Sequence, residues 1–210
     1  STAIGYAALF AQNQTDDTNN TAVGYLSGTA ITVGVRNTLV GDRSGAALTD
    51  ADKNTAIGGE SLTTDTLGSK STAIGRSALK SQNFTTATDS HNTAVGNSAG
   101  ESITTGIQNT LIGSLAGDAL TDADYNTVVG TSALAVDSLG SRSVAIGAFA
   151  LEAQAFTTAT DTYNVAVGYD AGGNITTGVQ NVLIGGLAGD ALTDSDENVA
   201  VGYGALSSDT

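Results

Sequence analysis

The pentad N-T-A-V-G at residues 92–96 decides the fold, because close variants of it recur along the whole chain. Twelve pentads are present, and they end at Gly5, Gly24, Gly41, Gly58, Gly75, Gly96, Gly113, Gly130, Gly147, Gly168, Gly185 and Gly202. From Gly24 onward the intervals between them run 17, 17, 17 and 21, and this series of four then repeats, so Gly24, Gly96 and Gly168 are equivalent. A fixed sequence period is the signature of a repeat protein. We therefore interpret residues 1–210 as one continuous array, built of four-coil super-repeats and without a domain boundary.

The side chains of the pentad alternate as they do in a β-strand. The second residue is always Thr or Val, the fourth is always Ile or Val, and the third is Ala, Leu or Val. The second and fourth residues therefore share one face of a five-residue strand, and the third residue shares the other face with the glycine. The segments between pentads are rich in turn-forming Gly, Asn, Asp, Ser and Thr. No segment has the apolar spacing of a helix. The pattern predicts an all-β parallel β-solenoid of about twelve coils, each of 17–21 residues.

Composition excludes several classes of function. The chain has no cysteine and only one histidine, His91, so it lacks disulfides, thiolate nucleophiles and a two-histidine zinc site. Its net charge of −14 argues against nucleic acid as a partner, and the absence of a long apolar run argues against membrane insertion. We find no catalytic motif and no pair of carboxylates that would be held in a cleft, so we do not expect an enzyme. Because the chain contains no methionine, we expect it to be part of a longer fibre protein.

A single coil offers few apolar side chains with which to offset the entropy of ordering its backbone. Further burial would have to come from another chain. The Ala and Gly residues opposite the Ile/Val row are small enough for the backbone of a neighbouring chain to approach closely. We therefore expect a parallel homo-oligomer, most simply a homotrimer.

The pentads resemble those of known fibres. Ser143-Val144-Ala145-Ile146-Gly147 resembles the head repeats of YadA-type trimeric autotransporter adhesins, and the N-T-A-V-G-Y segments are similar to repeats of bacteriophage tail fibres. The resemblance implies a left-handed β-roll and a homotrimer, with the branched residues inside each chain and the small residues towards its neighbours. The coils here are longer than those of the YadA type, so we expect the extra residues to form surface loops.

The same resemblance implies an extracellular location, on a virion fibre or a bacterial cell surface. The expected function is a structural or adhesive segment, most simply the shaft or head of a bacteriophage tail fibre that spaces or displays host-receptor binding. A bacterial adhesin head is the alternative. The partner on the host would be a surface glycan or a protein.

A D-x-D-x-N motif occurs three times and suggests a metal site. Oxygen ligands at alternate positions can begin a calcium loop, so calcium is the candidate cofactor of a secreted surface-layer or matrix solenoid. In the other interpretation, the Asp side chains bond to local backbone amides and each Asn belongs to a ladder of stacked asparagines that begin the pentads. The candidate ligands are Asp50, Asp52, Asn54, Asp122, Asp124, Asn126, Asp194, Asp196 and Asn198.

The two longest intervals between pentads share a sequence. Each includes F-T-T-A-T-D, at residues 84–89 and 156–161. Loops on a rigid scaffold often carry recognition, so the candidate receptor-binding residues are Phe84, His91, Phe156 and Tyr163. In the alternative interpretation, each phenylalanine folds back to cover the edge of the roll.

Overall fold

The computed structural model describes residues 1–13 and 17–208, which contain sixteen short β-strands and no α-helix. The strands are β1 (Thr2–Ile4), β2 (Thr21–Val23), β3 (Thr38–Val40), β4 (Thr55–Ile57), β5 (Gly68–Ser69), β6 (Thr72–Ile74), β7 (Thr88–Asp89), β8 (Thr93–Val95), β9 (Thr110–Ile112), β10 (Thr127–Val129), β11 (Gly140–Ser141), β12 (Val144–Ile146), β13 (Thr160–Asp161), β14 (Val165–Val167), β15 (Val182–Ile184) and β16 (Val199–Val201).

Twelve of these strands, one from each pentad, form a single parallel sheet. Their order is β1-β2-β3-β4-β6-β8-β9-β10-β12-β14-β15-β16, and every pair is in register. Thus Thr93 pairs with Thr110 and Ala94 with Leu111. At about 4.8 Å per strand, the main sheet is roughly 58 Å long. The chain is a parallel β-solenoid of about twelve turns, as the repeat predicts, although each strand has three residues instead of five.

The orientation of the pentad differs from what the resemblance implies. The third residue, such as Ala94 or Leu111, is fully buried inside the coil. The second and fourth residues point outward, and Ile112 remains 39% exposed. The expectation that the branched residues fill the interior and the small residues face a neighbour is therefore wrong.

The interior of each coil is narrow, and this accounts for the orientation. Four residues after each pentad glycine lies a Leu or a Gly in left-handed conformation, such as Leu79 (φ 48°) or Gly45 (φ 57°). Where this residue is Leu79, the strand contributes only Ala73. Where the strand contributes Leu39, the fourth residue is Gly45, and a Cβ on Gly45 would lie 2.8 Å from Leu39 Cδ2. In these coils a large residue at one position is matched by a small residue at the other, because both share one small cross-section.

The pentad glycines are required for close stacking of the coils. Gly96 has φ 147°, a conformation that L side chains rarely adopt. A Cβ at Gly96 would lie 2.2 Å from the carbonyl oxygen of Gly113 in the next coil. The recurrence of glycine therefore reflects both its backbone conformation and the contact between successive coils.

The asparagines that begin the pentads form the ladder that the sequence suggests. Asn109 is buried, and its Nδ2 donates to the Ala123 carbonyl of its own coil at 2.7 Å. Its Oδ1 accepts a hydrogen bond from the backbone N–H of Asn126, in the next coil, at 3.0 Å. One side chain therefore closes its own coil and ties it to the next. In the same way, Asn20 Oδ1 accepts a hydrogen bond from the backbone N–H of Asn37, and Asn164 Oδ1 accepts one from the N–H of Asn181.

We expect Asn109→Ala to lower the free energy of unfolding by about 2–4 kcal/mol, because it leaves the Ala123 carbonyl and the Asn126 amide unpaired in the interior. Denaturant unfolding followed by circular dichroism measures the change. Asn97→Ala is the control, since Asn97 is exposed and lies outside the ladder. Equal losses in the two variants would contradict the ladder's role.

Candidate functional site

In the D-x-D-x-N motifs, the second Asp uses a side-chain oxygen, and the Asn a side-chain atom, in a protein hydrogen bond. Asp124 Oδ1 accepts a hydrogen bond from the Ile107 backbone N–H at 2.8 Å, and Asp122 Oδ1 accepts one from Thr105 Oγ1 at 2.6 Å. The Asn126 side chain is buried, and its Oδ1 accepts from the Ser143 N–H. Asp52 and Asp196 likewise each accept a hydrogen bond from a backbone N–H of the preceding coil. Asn54 and Asn198 belong to the asparagine ladder.

The asparagine of each motif thus lies on the interior side of the backbone, while the first Asp is exposed, as at Asp50 and Asp194. The structure does not bring the three candidate ligands of a motif together around one point. Burial raises the pKa of Asp124, its hydrogen bond from Ile107 opposes that rise, and the neighbouring charge of Asp122 adds to it. Across residues 1–13 and 17–208, no group of three or more His, Asp or Glu side chains could hold a metal ion.

We expect a chelator to leave the thermal unfolding midpoint unchanged, because Asp52, Asp124 and Asp196 already bind backbone amides. Differential scanning calorimetry in EDTA and in excess calcium provides the measurement. A ligand that binds only the folded chain raises the midpoint with concentration. A midpoint that rises with calcium would therefore restore the calcium interpretation.

The phenylalanines of the two long segments are buried, so they do not form an exposed recognition surface. Phe84 is 6% exposed and Phe156 is 7% exposed. The Phe84 ring lies over Gly68, where an added Cβ would be 2.7 Å from Phe84 Cδ2. The burial of the rings supports the alternative in which each phenylalanine folds back to cover the edge of the roll.

The exposed part of each long segment is its threonine-rich tip, at residues 85–87 and 157–159. Each tip is held at its base. Strand β7 pairs with β5 and strand β13 with β11. Ion pairs between Lys70 and Asp89 and between Arg142 and Asp161 join the same coils. The two tips occupy equivalent positions four coils apart, or about 19 Å along the solenoid. The expectation that extra residues form surface loops is met at both places.

The other two candidate receptor residues, His91 and Tyr163, lie outside the core. Each immediately precedes a ladder asparagine and has φ 52°. Tyr163 is half exposed, and Arg142 lies between its ring and that of Tyr125, with the guanidinium carbon 5.9 and 5.2 Å from the ring centroids. Its ring therefore contacts a neighbouring coil. The sequence analysis missed Tyr125 and Arg142, although both occupy the same position of the repeat as Tyr163, immediately before the residue that begins a pentad.

We expect Phe156→Ala to lower the free energy of unfolding by about 3–5 kcal/mol, because it removes a buried aromatic side chain. Tyr163→Ala should cost only about 1 kcal/mol, the value of an exposed cation–π contact. Urea unfolding of both variants distinguishes the two roles. A Phe156→Ala variant as stable as the native chain would show that the ring is not part of the core.

A continuous surface feature of the solenoid is the outward side of the main sheet, which we call the β-branched face. It consists of the first and last residues of the twelve strands of that sheet. The first residues are eight Thr and four Val, the last residues are all Ile or Val, and no position is charged. Ile57, Ile146 and Ile184 each retain 37–39% of their exposure. The sequence revealed that these residues share a face but not that the face is exposed.

Comparison with protein-family models, with curated proteins and with solved structures gives no match. The described residues contain no helix with the length and apolarity that a membrane crossing requires. The geometry of the chain itself is therefore the basis for a functional proposal, and its main features are the β-branched face and the two threonine-rich tips.

Proposed function

We propose that the chain is a structural segment of an extracellular fibre and that it assembles as a parallel homotrimer through the β-branched face. The observation that carries the proposal is the partly exposed row of Ile and Val that runs along all twelve turns without a charged residue. The face measures roughly 58 Å by 10 Å, or about 600 Å². The largest apolar patch on a typical monomer is about 300–600 Å² and often functional, so a face of this size favours an interaction site.

A second copy of the same chain fits this face better than an unrelated partner. Every strand pair of the main sheet is in register, so the face repeats the same two rows of side chains at about 4.8 Å. Only a surface with the same repeat matches it along its whole length, and a parallel copy has that repeat. The face adds no like-charge repulsion, although the chain carries −14. The acidic residues lie elsewhere and keep the assembled rod soluble.

In this assembly the chain acts mechanically. Stacked coils form a stiff rod of roughly 58 Å, and the threonine-rich tips are displayed at fixed positions on its side. Such a rod spaces or displays the part of a fibre that binds a host-cell glycan or protein. The N-T-A-V-G-Y repeats and the polar, threonine-rich connectors support the shaft or head of a bacteriophage tail fibre. The adhesin head of a bacterial surface protein is the alternative, because Ser143-Val144-Ala145-Ile146-Gly147 resembles YadA-type head repeats.

We expect light scattering to give three times the chain mass of 20.7 kDa. Ile112→Asp should reduce the mass to that of one chain, because it buries a charge in the proposed interface. Val136→Asp should remain trimeric, since Val136 is an exposed apolar residue outside the β-branched face. A native chain with the mass of a monomer, or equal effects of the two substitutions, would contradict the proposed assembly.

A further inference from the structure

Two pairs of polar side chains lie inside the otherwise apolar solenoid. At the position seven places after the pentad glycine, a side chain points into the interior of the coil. This position holds Asp65 and Gln82 in consecutive coils, and Asp137 and Gln154 in the equivalent coils of the next super-repeat. All four residues are fully buried. We call Asp65–Gln82 and Asp137–Gln154 the polar pairs.

Each aspartate is satisfied by donors that only its own neighbours supply. Asp65 Oδ2 accepts a hydrogen bond from Gln82 Nε2 at 2.6 Å, and its Oδ1 accepts from the backbone N–H groups of Gly68 and Phe84, each at 3.0 Å. Asp137 repeats the arrangement with Gln154 Nε2 at 2.6 Å. Of the donors from the following coil, the phenylalanine N–H is a backbone group, whereas the side-chain amide is present only when a coil with glutamine comes next.

The glutamine also repairs the asparagine ladder. Its coil begins with Ser71 instead of Asn, so the ladder lacks one amide. Gln82 Nε2 donates to Ser71 Oγ at 2.9 Å, and Gln82 Oε1 accepts from Asn92 Nδ2 at 2.9 Å. The same bonds join Gln154 to Ser143 at 3.1 Å and to Asn164 at 2.8 Å. The serine, the glutamine and the preceding aspartate therefore form one unit.

The first coil also combines an initial serine with a glutamine seven places after its pentad glycine, and Gln12 Nε2 donates to Ser1 Oγ at 3.1 Å.

In the coils that begin with β2, β3, β8, β9, β14 and β15, the residue seven places after the pentad glycine is apolar and buried. If one of these residues took the place of Gln82 after Asp65, or of Asp65 before Gln82, a buried polar group would lose its partner in the adjacent coil, which costs about 1–3 kcal/mol and more for a charge. The coils are thus not interchangeable, although their pentads are nearly identical. The apolar residues are, in chain order, Ile31, Leu48, Ile103, Leu120, Ile175 and Leu192.

We propose that the polar pairs lock the order of the coils, so that an internal glutamine coil is accepted only directly after an aspartate coil. The repeated pentads alone do not specify this order, because each strand could pair equally well with a pentad one coil further along. A buried polar contact that excludes alternative registers is a known use of such groups. The lock recurs once in each super-repeat and limits slippage to whole four-coil units.

Two matched deletions test the lock. Deletion of residues 54–70 joins Lys53 to Ser71 and places the intact coil of Ser71 and Gln82 directly after the coil of Leu48. Deletion of residues 37–53 joins Arg36 to Asn54 and keeps Gln82 directly after Asp65. Each removes the length of one short coil, cut at the same point of the repeat, and preserves the spacing of the remaining pentads. Gln82→Leu is then made in the full chain and in both deletions.

We expect the cost of Gln82→Leu to depend on the preceding coil. In the full chain and in the 37–53 deletion, it should lower the unfolding midpoint by at least about 3 °C, because Asp65 and Asn92 lose their partner. In the 54–70 deletion the loss should be smaller, because Asp65 is absent and the glutamine amide has no acceptor in the preceding coil. Equal losses in all three chains overturn the lock.

Discussion

A ladder of asparagines, one in each of nine of the twelve coils, ties successive coils of this solenoid together. The side chain of Asn109 donates to the carbonyl of Ala123 in its own coil and accepts the backbone amide of Asn126 in the next. The strands of the main sheet are only three residues long, so strand pairing leaves many backbone groups at the corners of a coil without a partner. The ladder satisfies some of these groups in a region that water does not reach. Where Ser71 and Ser143 interrupt it, a glutamine from the same coil completes it.

The width of the coil determines which surface is available for function. The third residue of each pentad shares the interior with the Leu or Gly four places after the pentad glycine, as Ala73 does with Leu79. The second and fourth residues then lie on the outward side of the strand. A rod with a thin interior and a continuous, partly exposed apolar face is suited to lateral association with copies of itself, and this supports the proposed fibre assembly.

Several features could be predicted from the sequence because they depend on local pattern. The alternation of Thr, Ala and Val in the pentad predicts strands, and the regular interval between pentads predicts stacked coils of one parallel sheet. The asparagine ladder follows from the same spacing. The candidate receptor site could not be predicted in the same way, because the burial of its residues depends on contacts between coils. Phe84 and Tyr163 both belong to the long segments, yet the Phe84 ring is buried and the Tyr163 ring is half exposed beside Arg142 of the adjacent coil.

The amino-acid sequence by itself determined the number of coils, their length and the two sets of side chains that lie on opposite sides of each strand, since these follow from period alone. Which set faces inward was decided only by the tertiary structure. The pentad pattern does not show which set is buried, because both sets contain apolar residues. The choice depends on how much space the leucines from the rest of the coil leave beside the strand. The same holds for Asp65 and Gln82, which in sequence look like polar surface residues of two separate segments and become hydrogen-bonded interior neighbours when the coils stack.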